Sequence, residues 1–555
     1  MKPAQTQPVD AATIDVGGTT HVVFNQPPPL VDDDPVAADP TLAETLARSA
    51  GAYAADVHAF GRQVASAEVR ELGAQANENT PRLRSHDRFG RRLDEVEFHP
   101  AWHELMRLGI SAGLASLPWR ADARPGAQVA RAAKHYLLAQ IEAGVLCPLT
   151  MTFAAVPALA RDPEIAAVWT PRLLSDRYDP RRLDPADKAG CTMGMAMTEK
   201  QGGSDVRANT TRAEPLDDGR YRLVGHKWFC SAPRSDGFLT LAQTAAGLTC
   251  FLAPKILPGG APNAIHLQRL KDKLGNRSNA SSEIEYRGAI AQRLGPEGRG
   301  VATILEMVTH TRLDCAVGSA GLMRQAVAQA IHHARHRSAF GRPLIEQPLM
   351  RRVLADLALE SMAATALAFR LAELYDLGDG AGALRRIATA IGKYWITKRG
   401  PALVAEALEC LGGNGYVEES ILPRIYREIP LNSLWEGSGN VICLDVLRAL
   451  ARDPGAANAI REELEESRGL DPRLDEFAES LLRDLASTPD PADARRLVED
   501  LALALQAAEL LRYHPYPVAD AFLDARLARG DGREYGTLPA HLDMTALIER
   551  ATGSA

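Results

Sequence analysis

Residues 194–206, GMAMTEKQGGSDV, mark the point where the chain changes from helical to β-rich sequence. A short β-leaning run leads into a glycine-bearing loop that carries Thr198, Ser204 and Asp205. Backbone amides and hydroxyls in such a loop can bind a polar planar ligand or a phosphate. Taken alone, this stretch is better interpreted as a plain turn, so a ligand site here needs support from the surrounding sequence.

The sequence around this stretch predicts a β-domain from about residue 191 to 295. Segments rich in β-forming residues, such as 219–231 (GRYRLVGHKWFCS) and 281–290 (SSEIEYRGAI), are separated by turn residues. Asp218 followed by Gly219 is a hairpin signal.

Helical sequence flanks the β-domain on both sides. Apolar residues recur at helical spacing from about residue 41 to 174, and four long helical segments follow Gly300. The order of helices, strands and helices indicates separate α and β domains and not alternating βαβ units. We divide the chain into an N-terminal arm (1–40), an N-terminal helical domain (41–190), a middle β-domain (191–295), a helical-bundle domain (296–450) and an extra C-terminal helical region (451–555).

The basic stretch 79–103 interrupts the N-terminal helices. We interpret it as a solvated loop, and phosphate binding by its arginines is the less favoured alternative. The segment after Lys398 has no lysine and is acidic overall, which does not by itself indicate nucleic-acid binding.

Composition is that of an ordinary globular protein, with 46% apolar and 24% charged residues and a net charge of −7. No apolar run is long enough for a membrane span, and the N-terminus lacks the apolar core of a signal peptide, so we expect a cytoplasmic protein. Seven scattered cysteines without a CxxC pair fit free thiols. Two histidine pairs at helical spacing, His99 with His103 and His332 with His336, lack a third ligand, and we expect no metal.

Three further stretches are unusual for a purely structural role. In 225–233 (GHKWFCSAP) an aromatic residue beside a hydroxyl suits one face of a flat heterocycle, although core packing explains it as readily. In 335–357 an arginine and a phenylalanine at a helix junction could hold an adenine diphosphate, and a helix C-cap explains Arg337 almost as well. In 408–448 two glycine-bearing loops precede helices, whose first amides attract phosphate.

Glu436 lies in the second of these loops, between Trp435 and Gly437. A carboxylate in a tight, partly apolar loop can have a raised pKa and act as a base. A charge at the entry to a helix is the ordinary alternative.

Taken together, these stretches resemble the acyl-CoA dehydrogenase family of FAD enzymes. Four segments of the chain are similar to the AidB-like subgroup, flavoproteins of the bacterial adaptive response to DNA alkylation: 23–27 (VFNQP), 197–205 (MTEKQGGSD), 269–281 (RLKDKLGNRSNAS) and 432–440 (NSLWEGSGN). The resemblance implies an α+β fold with an N-terminal helical domain, a middle β-barrel, a four-helix bundle and an extra C-terminal helical region. It also implies a homotetramer.

The resemblance implies that Glu436 is the catalytic base, which removes the α-proton of an acyl-CoA thioester, and that FAD is the cofactor. Arg337, Phe340 and Gln347 would reach the FAD of a neighbouring subunit, close to Gly412 and Gly413. The other residues implied to contact FAD are Met197, Thr198, Gly203, Ser204, Phe229, Cys230, Ser231, Leu434, Trp435, Gly437, Ser438, Gly439 and Asn440.

The subgroup further implies duplex DNA binding without sequence preference, protection against alkylation damage and weak dehydrogenase activity of the isovaleryl-CoA type. Arg448 and Arg526 are the candidate DNA contacts; Arg452, Arg512, Arg529 and Arg533 could extend them. Lys200 departs from the family pattern, and we expect its bulk and charge to hinder the usual substrate. Two alternatives stay open: an ordinary metabolic dehydrogenase of short or branched acyl-CoA, or a DNA-binding protein in which FAD is structural.

Overall fold

The computed structural model describes residues 22–31, 33–486, 490–527, 538–539 and 541–553. Arg529 and Arg533 lie outside these residues. After an extended segment, Asp39 accepts a hydrogen bond from the Leu42 amide and caps the first helix. The N-terminal helices are α1 (Pro40–Ser49), α2 (Ala54–Ala65), α3 (Ala67–Glu78), α4 (Pro100–Ser111), α5 (Ala127–Ala139), α6 (Leu146–Leu159) and α7 (Pro163–Leu173).

The basic stretch 79–103 forms a β-hairpin, so its interpretation as a solvated loop is wrong. Strands β1 (Arg82–His86) and β2 (Arg92–Glu97) pair antiparallel. Asp94 accepts a hydrogen bond from the Leu267 amide at 2.8 Å, and Arg92 donates to the Leu267 carbonyl at 2.8 Å. These bonds attach the hairpin to the β-domain.

A closed barrel occupies the middle of the chain. Its strands are β3 (Met193–Ala196), β4 (Arg212–Pro215), β5 (Tyr221–Ser231), β6 (Gly237–Thr244), β7 (Gly247–Pro254), β8 (Ile265–Leu270) and β9 (Ser281–Leu294). The order β6-β4-β5-β9-β7 returns to β6, while β3 pairs parallel with β6 and β8 pairs with β9. The expected hairpin at Asp218-Gly219 is confirmed: β4 and β5 pair antiparallel, and Gly219 has a φ of +80°.

Helices follow the barrel, with a short hairpin between the first two. They are α8 (Gly300–His336), α9 (Pro348–Asp376), α10 (Gly382–Cys410), α11 (Gly413–Tyr416), α12 (Ile421–Glu428), α13 (Gly439–Arg452), α14 (Pro454–Glu465), α15 (Pro472–Ala486), α16 (Ala494–Tyr513), α17 (Tyr516–Phe522) and α18 (Met544–Arg550); the hairpin is β10 (Ser338–Ala339) with β11 (Arg342–Pro343). The expected bundle is confirmed by α8, α9, α10 and α13. Helix α16 packs on α9, α10 and α13, and therefore covers the bundle.

Helix α5 joins the N-terminal helices to the bundle and is buried along its whole length. Its Arg131 forms a bidentate ion pair with Asp314 of α8, and the Arg131 guanidinium lies 3.7 Å from the centre of the Phe153 ring. Although burial opposes ionisation, Arg131 and His135 lower the pKa of Asp314 to about 2. The pair therefore fixes α5 against α8 with both charges retained.

The histidine pairs have local roles. His99 caps α4 by accepting from the Ala101 amide, and His103 shares a hydrogen bond with Tyr178. Within the described residues we find no cluster of metal ligands and no helix long and apolar enough to cross a bilayer. All seven cysteines are buried free thiols.

Candidate functional site

A cavity of about 830 Å³ lies where the barrel meets α5, α6, α8 and the loop that precedes α13. The structure brings to this cavity most of the residues that the sequence put forward for FAD. These lining residues are Met197, Thr198, Gly203, Ser204, Phe229, Ser231, Leu434, Trp435, Gly437 and Ser438, together with the candidate base Glu436.

Three neighbours of these residues do not line the cavity. Cys230 is fully buried and points into the barrel core, because alternate side chains of β5 face opposite sides. Gly439 is buried at the start of α13, and Asn440 accepts a hydrogen bond from Arg495 at 2.8 Å.

The loop after β3 is held in place by Glu199, whose side chain is fully buried. One carboxylate oxygen accepts from Lys227 Nζ at 2.9 Å and from the Thr211 amide at 3.1 Å. The other accepts from the Thr210 amide at 2.7 Å, the Thr210 hydroxyl at 3.0 Å and Gln201 Nε2 at 3.0 Å. Burial alone would raise the pKa of Glu199, but Lys227 and these donors hold it well below its usual range.

Two glycines give this loop its shape. Gly202 has a φ of +135°, a conformation that other residues rarely adopt. At Gly203 a Cβ atom would meet Thr198 Oγ1 at 2.4 Å, so the loop closes on itself only without a side chain.

Lys200 does not enter the cavity. Its backbone amide donates to His226 Nε2 at 3.0 Å, and its exposed side chain lies over the Trp228 ring. Hindrance of an acyl-CoA by Lys200 therefore stays a prediction that concerns the surface outside the cavity.

Glu436 projects into the cavity from a strained backbone. Its φ is +59°, and Gly437 follows with a φ of +110°. Oε2 of Glu436 is shielded from solvent and has no hydrogen-bond partner. Burial raises the pKa of this carboxyl, while the Thr311 hydroxyl and the charges of Arg312 and Lys393 oppose the rise. A carboxylate that has a raised pKa and one unpartnered oxygen is available to take a proton.

Two cations hold the backbone of this loop. Arg312 Nε donates to the Glu436 carbonyl at 3.1 Å, and its NH1 pairs with Asp445 at 2.8 Å. Lys393 Nζ donates to the Gly437 carbonyl at 2.6 Å, and burial lowers the pKa of Lys393 to about 8. The position of the Glu436 side chain is thus set by α8 and α10.

Arg337, Phe340, Gln347, Gly412 and Gly413 do not line the cavity. Gln347 Nε2 donates to the Ala339 carbonyl at 3.0 Å, and Phe340 forms the tip of the β10–β11 hairpin with a φ of +53°. Phe340 is 98% exposed.

The VFNQP segment joins this hairpin to the Gly412 loop. Asn25 accepts from the Ser338 amide at 2.7 Å and donates to the Ser338 carbonyl at 2.9 Å, as a paired strand would. The Asn25 carbonyl accepts from Arg337 at 2.9 Å, and Gln26 accepts from Asn414 at 3.3 Å. The intersubunit candidates therefore form a second cluster, braced by the N-terminal arm.

Exposed arginines surround the outer part of the cavity. The cavity-lining residues include Arg207, Arg386, Arg448 and Arg452, all of them exposed. Arg448 contacts Asp445 at 3.6 Å. The sequence indicated Arg448 and Arg452, but not Arg207 and Arg386, which come from other elements and carry no local motif.

Arg526 and Arg512 do not belong to an exposed stripe, and this part of the expectation needs correction. Arg526 pairs with the buried carboxylates of Asp356 and Glu360, and its side chain is 17% exposed. Arg512 pairs with Glu463, Glu466 and Glu509. Arg526 therefore holds the C-terminal region on α9 of the bundle, whereas Arg512 links α16 to α14.

The sequence interpretation also missed polar residues at the inner end of the cavity. His135, Thr150 and Asp314 come from α5, α6 and α8, and Lys273 and Glu428 from the β8–β9 connection and the end of α12. No local pattern distinguishes these residues, because ordinary helical spacing also explains them.

Models of known protein families match three successive parts of the chain. Residues 25–180 match the adaptive response protein AidB N-terminal domain, residues 194–289 the acyl-CoA dehydrogenase middle domain and residues 298–451 the acyl-CoA dehydrogenase C-terminal domain.

Individual proteins match over most of the chain. It is 50% identical to AidB of Escherichia coli (strain K12), over 96% of this chain and 98% of that protein. It is 34% identical to acyl-CoA dehydrogenase family member 11 of Caenorhabditis elegans, over 80% of this chain and 75% of that protein. The crystal structure of ACDH-11 from the same organism in complex with C11-CoA superimposes with a TM-score of 0.81 at 28% identity, covering 98% of this chain and 95% of that one.

Proposed function

Because this chain belongs to the acyl-CoA dehydrogenase family of oxidoreductases and carries an AidB N-terminal domain, we propose that it is an FAD-dependent enzyme that oxidises short branched acyl-CoA thioesters weakly. We propose with it that the protein binds duplex DNA and protects it against alkylation. The observation that carries the enzymatic part is the unpartnered Oε2 of Glu436, shielded from solvent inside the cavity.

The residues around the cavity fit a flavin nucleotide. Met195, Met197 and Phe229 of the β-domain offer apolar surface, while Thr198, Ser204 and Ser231 of the same domain offer hydroxyls. Gly412 and Gly413 have open space where a side chain would stand, so a diphosphate can approach their backbone. When bound, FAD supplies the electron-accepting chemistry.

In this proposal Glu436 takes the proton from the carbon next to the thioester carbonyl. Burial favours its neutral form and so raises its basicity. Arg312 and Lys393 hold the carbonyls of Glu436 and Gly437 without pairing with the carboxylate, so the base stays free and in place. Leu434 and Trp435 add apolar surface to the cavity beside the base.

Anaerobic flavin reduction by isovaleryl-CoA tests the assignment. We expect slow bleaching of the flavin absorbance in the wild type and none in Glu436→Gln, which keeps the shape but removes the base. Glu306→Gln, on the exposed part of α8, is the matched control and should reduce like the wild type. Equal rates for Glu436→Gln and the wild type would refute the base assignment.

We also propose a homotetramer, and the exposed apolar residues in and around the second cluster support an interface between subunits. Phe340, Leu349 and Tyr416 are at least 80% exposed, and Phe24 of the VFNQP segment is equally exposed. Large exposed apolar groups of this kind mark interaction surfaces. Phe340→Ser should reduce both the molar mass in sedimentation experiments and FAD affinity; an unchanged tetramer with unchanged affinity would contradict this role.

Duplex DNA is the second ligand of this proposal, and the exposed arginines around the cavity favour it. Guanidinium groups bind phosphate in pairs of hydrogen bonds without reading the bases. Arg448 is the principal candidate contact, supported by Arg207, Arg386 and Arg452, whereas Arg526 is engaged in ion pairs.

A titration of duplex DNA at several salt concentrations tests this part. Removing one phosphate-binding side chain should reduce the slope of log affinity against log salt by about 0.9. We expect this reduction for Arg448→Ala on every duplex sequence, but not for Arg88→Ala, an exposed arginine beside Phe89. Equal effects of the two substitutions would show that only net charge matters.

The same two assays separate the alternatives. An ordinary metabolic dehydrogenase would reduce its flavin rapidly and show no salt-dependent DNA binding. A DNA-binding protein with structural FAD would bind DNA and show no Glu436-dependent reduction. Protection itself is measured as fewer lesions in plasmid DNA treated with a methylating agent in the presence of the wild type than with Arg448→Ala.

A further inference from the structure

The inner end of the cavity contains a small polar niche beside Gly318 of α8. A Cβ atom at Gly318 would lie 3.3 Å from His135 Nε2 and 3.8 Å from Asn432 Nδ2. His135, Gly318 and Asn432 all line the cavity. Because Gly318 has no side chain, a space remains beside it that is bordered by His135 Nε2 and Asn432 Nδ2.

His135 offers a hydrogen-bond acceptor to this space. Its side chain is 4% exposed, and its Nδ1 forms no hydrogen bond within the described residues, lying 3.7 Å from the Asp314 carboxylate. Burial lowers the pKa of His135 to about 4, so the ring is neutral at physiological pH. The negative charge of Asp314 favours the tautomer protonated on Nδ1, which leaves Nε2 as the acceptor.

Asn432 offers a donor to the same space. Its Oδ1 accepts from Trp435 Nε1 at 2.9 Å, which fixes the orientation of the amide. Its Nδ2 donates to Ser319 Oγ at 3.0 Å, and an amide nitrogen carries a second N–H. One acceptor and one donor therefore face a space too small for a large group.

The rest of the cavity wall combines apolar side chains with polar groups that already have partners, such as Thr150, which donates to Asp314 at 2.6 Å. Ala139, Ala143, Leu146, Met151 and Leu322 line the cavity from α6, α8 and the segment around the end of α5. An unsubstituted alkyl chain would pack against the apolar part of this wall. It would also displace water from His135 Nε2 and the Asn432 N–H without replacing the lost hydrogen bonds, which is unfavourable.

We propose that the niche recognises a hydroxyl group on the acyl chain of the CoA thioester. The hydroxyl donates its O–H to His135 Nε2 and accepts the second N–H of Asn432, so that a single group satisfies both nitrogens. This inference rests on the proposed function, whose cavity it uses, and it names the substrate class as hydroxylated acyl-CoA. His135 and Asn432 are then specificity residues that bind the substrate away from the reacting carbons.

Calorimetric titration of the FAD-loaded protein tests the proposal. The ligands are S-alkyl-CoA thioethers, which lack the reactive thioester carbonyl, in pairs of equal chain length with and without a hydroxyl at successive carbons. At one position we expect the hydroxylated ligand to bind roughly tenfold more tightly than its alkyl partner, as two modest hydrogen bonds allow. Equal affinities at every position would mean that the niche holds water, and would overturn the proposal.

Two variants locate the effect. Gly318→Ala fills the niche, and His135→Phe removes the acceptor with little change of shape; both should abolish the preference for the hydroxylated ligand. Glu306→Gln, elsewhere on α8 and outside the cavity, is the matched control and should retain the preference. A preference that survives Gly318→Ala and His135→Phe refutes the niche as its cause. If no CoA thioether binds in any titration, the proposed function itself fails, and this inference fails with it.

Discussion

Replacing Glu199 with glutamine should loosen the loop that carries Thr198 and Gly203 while the rest of the barrel stays folded. The wild-type carboxylate accepts five hydrogen bonds, including one from the fully buried Lys227. An amide has only one acceptor oxygen, so its NH₂ group must face at least two donors in either orientation, and Lys227 loses its counter-charge. Breaking one partner of a buried ion pair costs about 3–5 kcal/mol.

Hydrogen exchange at the Thr210 and Thr211 amides measures this change directly, because both amides donate to Glu199. At 1.4 kcal/mol per factor of ten, a cost of about 3 kcal/mol predicts exchange about 100-fold faster in Glu199→Gln. We also expect weaker FAD retention, since Thr198 and Gly203 line the cavity.

Two controls make the result specific. Glu214→Gln changes an exposed carboxylate on β4 and should leave exchange at Thr210 and Thr211 unchanged. The double variant Glu199→Gln with Lys227→Met removes both charges and should recover much of the protection. Wild-type exchange rates in Glu199→Gln alone would refute the view that this ion pair holds the loop.

Three further predictions concern other parts of the site. Because burial raises the pKa of Glu436, the rate of flavin reduction should fall on acidification at a higher pH than for an exposed carboxyl; stopped-flow rates across pH should show this, and a rate independent of pH would contradict it. Asn25→Ala removes both bonds to Ser338, so hydrogen exchange in hairpin 338–343 should rise several-fold and FAD affinity should fall, whereas unchanged exchange would exclude the bracing role. Arg526→Ala should destabilise the protein by about 3 kcal/mol in urea titrations, because the buried carboxylates of Asp356 and Glu360 each lose one ion pair, and should leave the salt slope of DNA binding unchanged; a reduced slope would restore Arg526 to the DNA contacts.

The order of helices and strands could be predicted from the sequence because periodicity is a local property. Helix α8 and the hairpin at Asp218-Gly219 are read from neighbouring residues alone. The hairpin of β1 and β2 could not be read in this way, since charged residues dominate both strands. What makes them strands is the distant barrel, through Leu267.

The residues of the candidate site also differ in whether the neighbouring sequence indicates them. Glycine-rich loops carry a local signal, so Gly203 and Gly437 were recognisable as parts of a ligand site. Whether an arginine is exposed or ion-paired depends on residues far away in the chain. Arg448 and Arg526 have no distinguishing sequence context, yet Arg448 lines the cavity and Arg526 pairs with Asp356 and Glu360. The niche beside Gly318 requires three elements to meet, and no single segment indicates it.

The basicity of Glu436 depends on where its two neighbouring cations bind. Had Arg312 or Lys393 paired with the carboxylate, each charge would have favoured the ionised form and lowered the pKa of the base. Arg312 instead contacts Asp445 and the Glu436 carbonyl, and Lys393 contacts the Gly437 carbonyl. The loop is therefore fixed by strong charge-assisted bonds to its backbone, and burial outweighs the Thr311 hydroxyl and the two charges, so the pKa of the carboxyl is raised. A substitution that removes the charge of Lys393 should therefore displace the loop and let the pKa of Glu436 rise further, without abolishing the base.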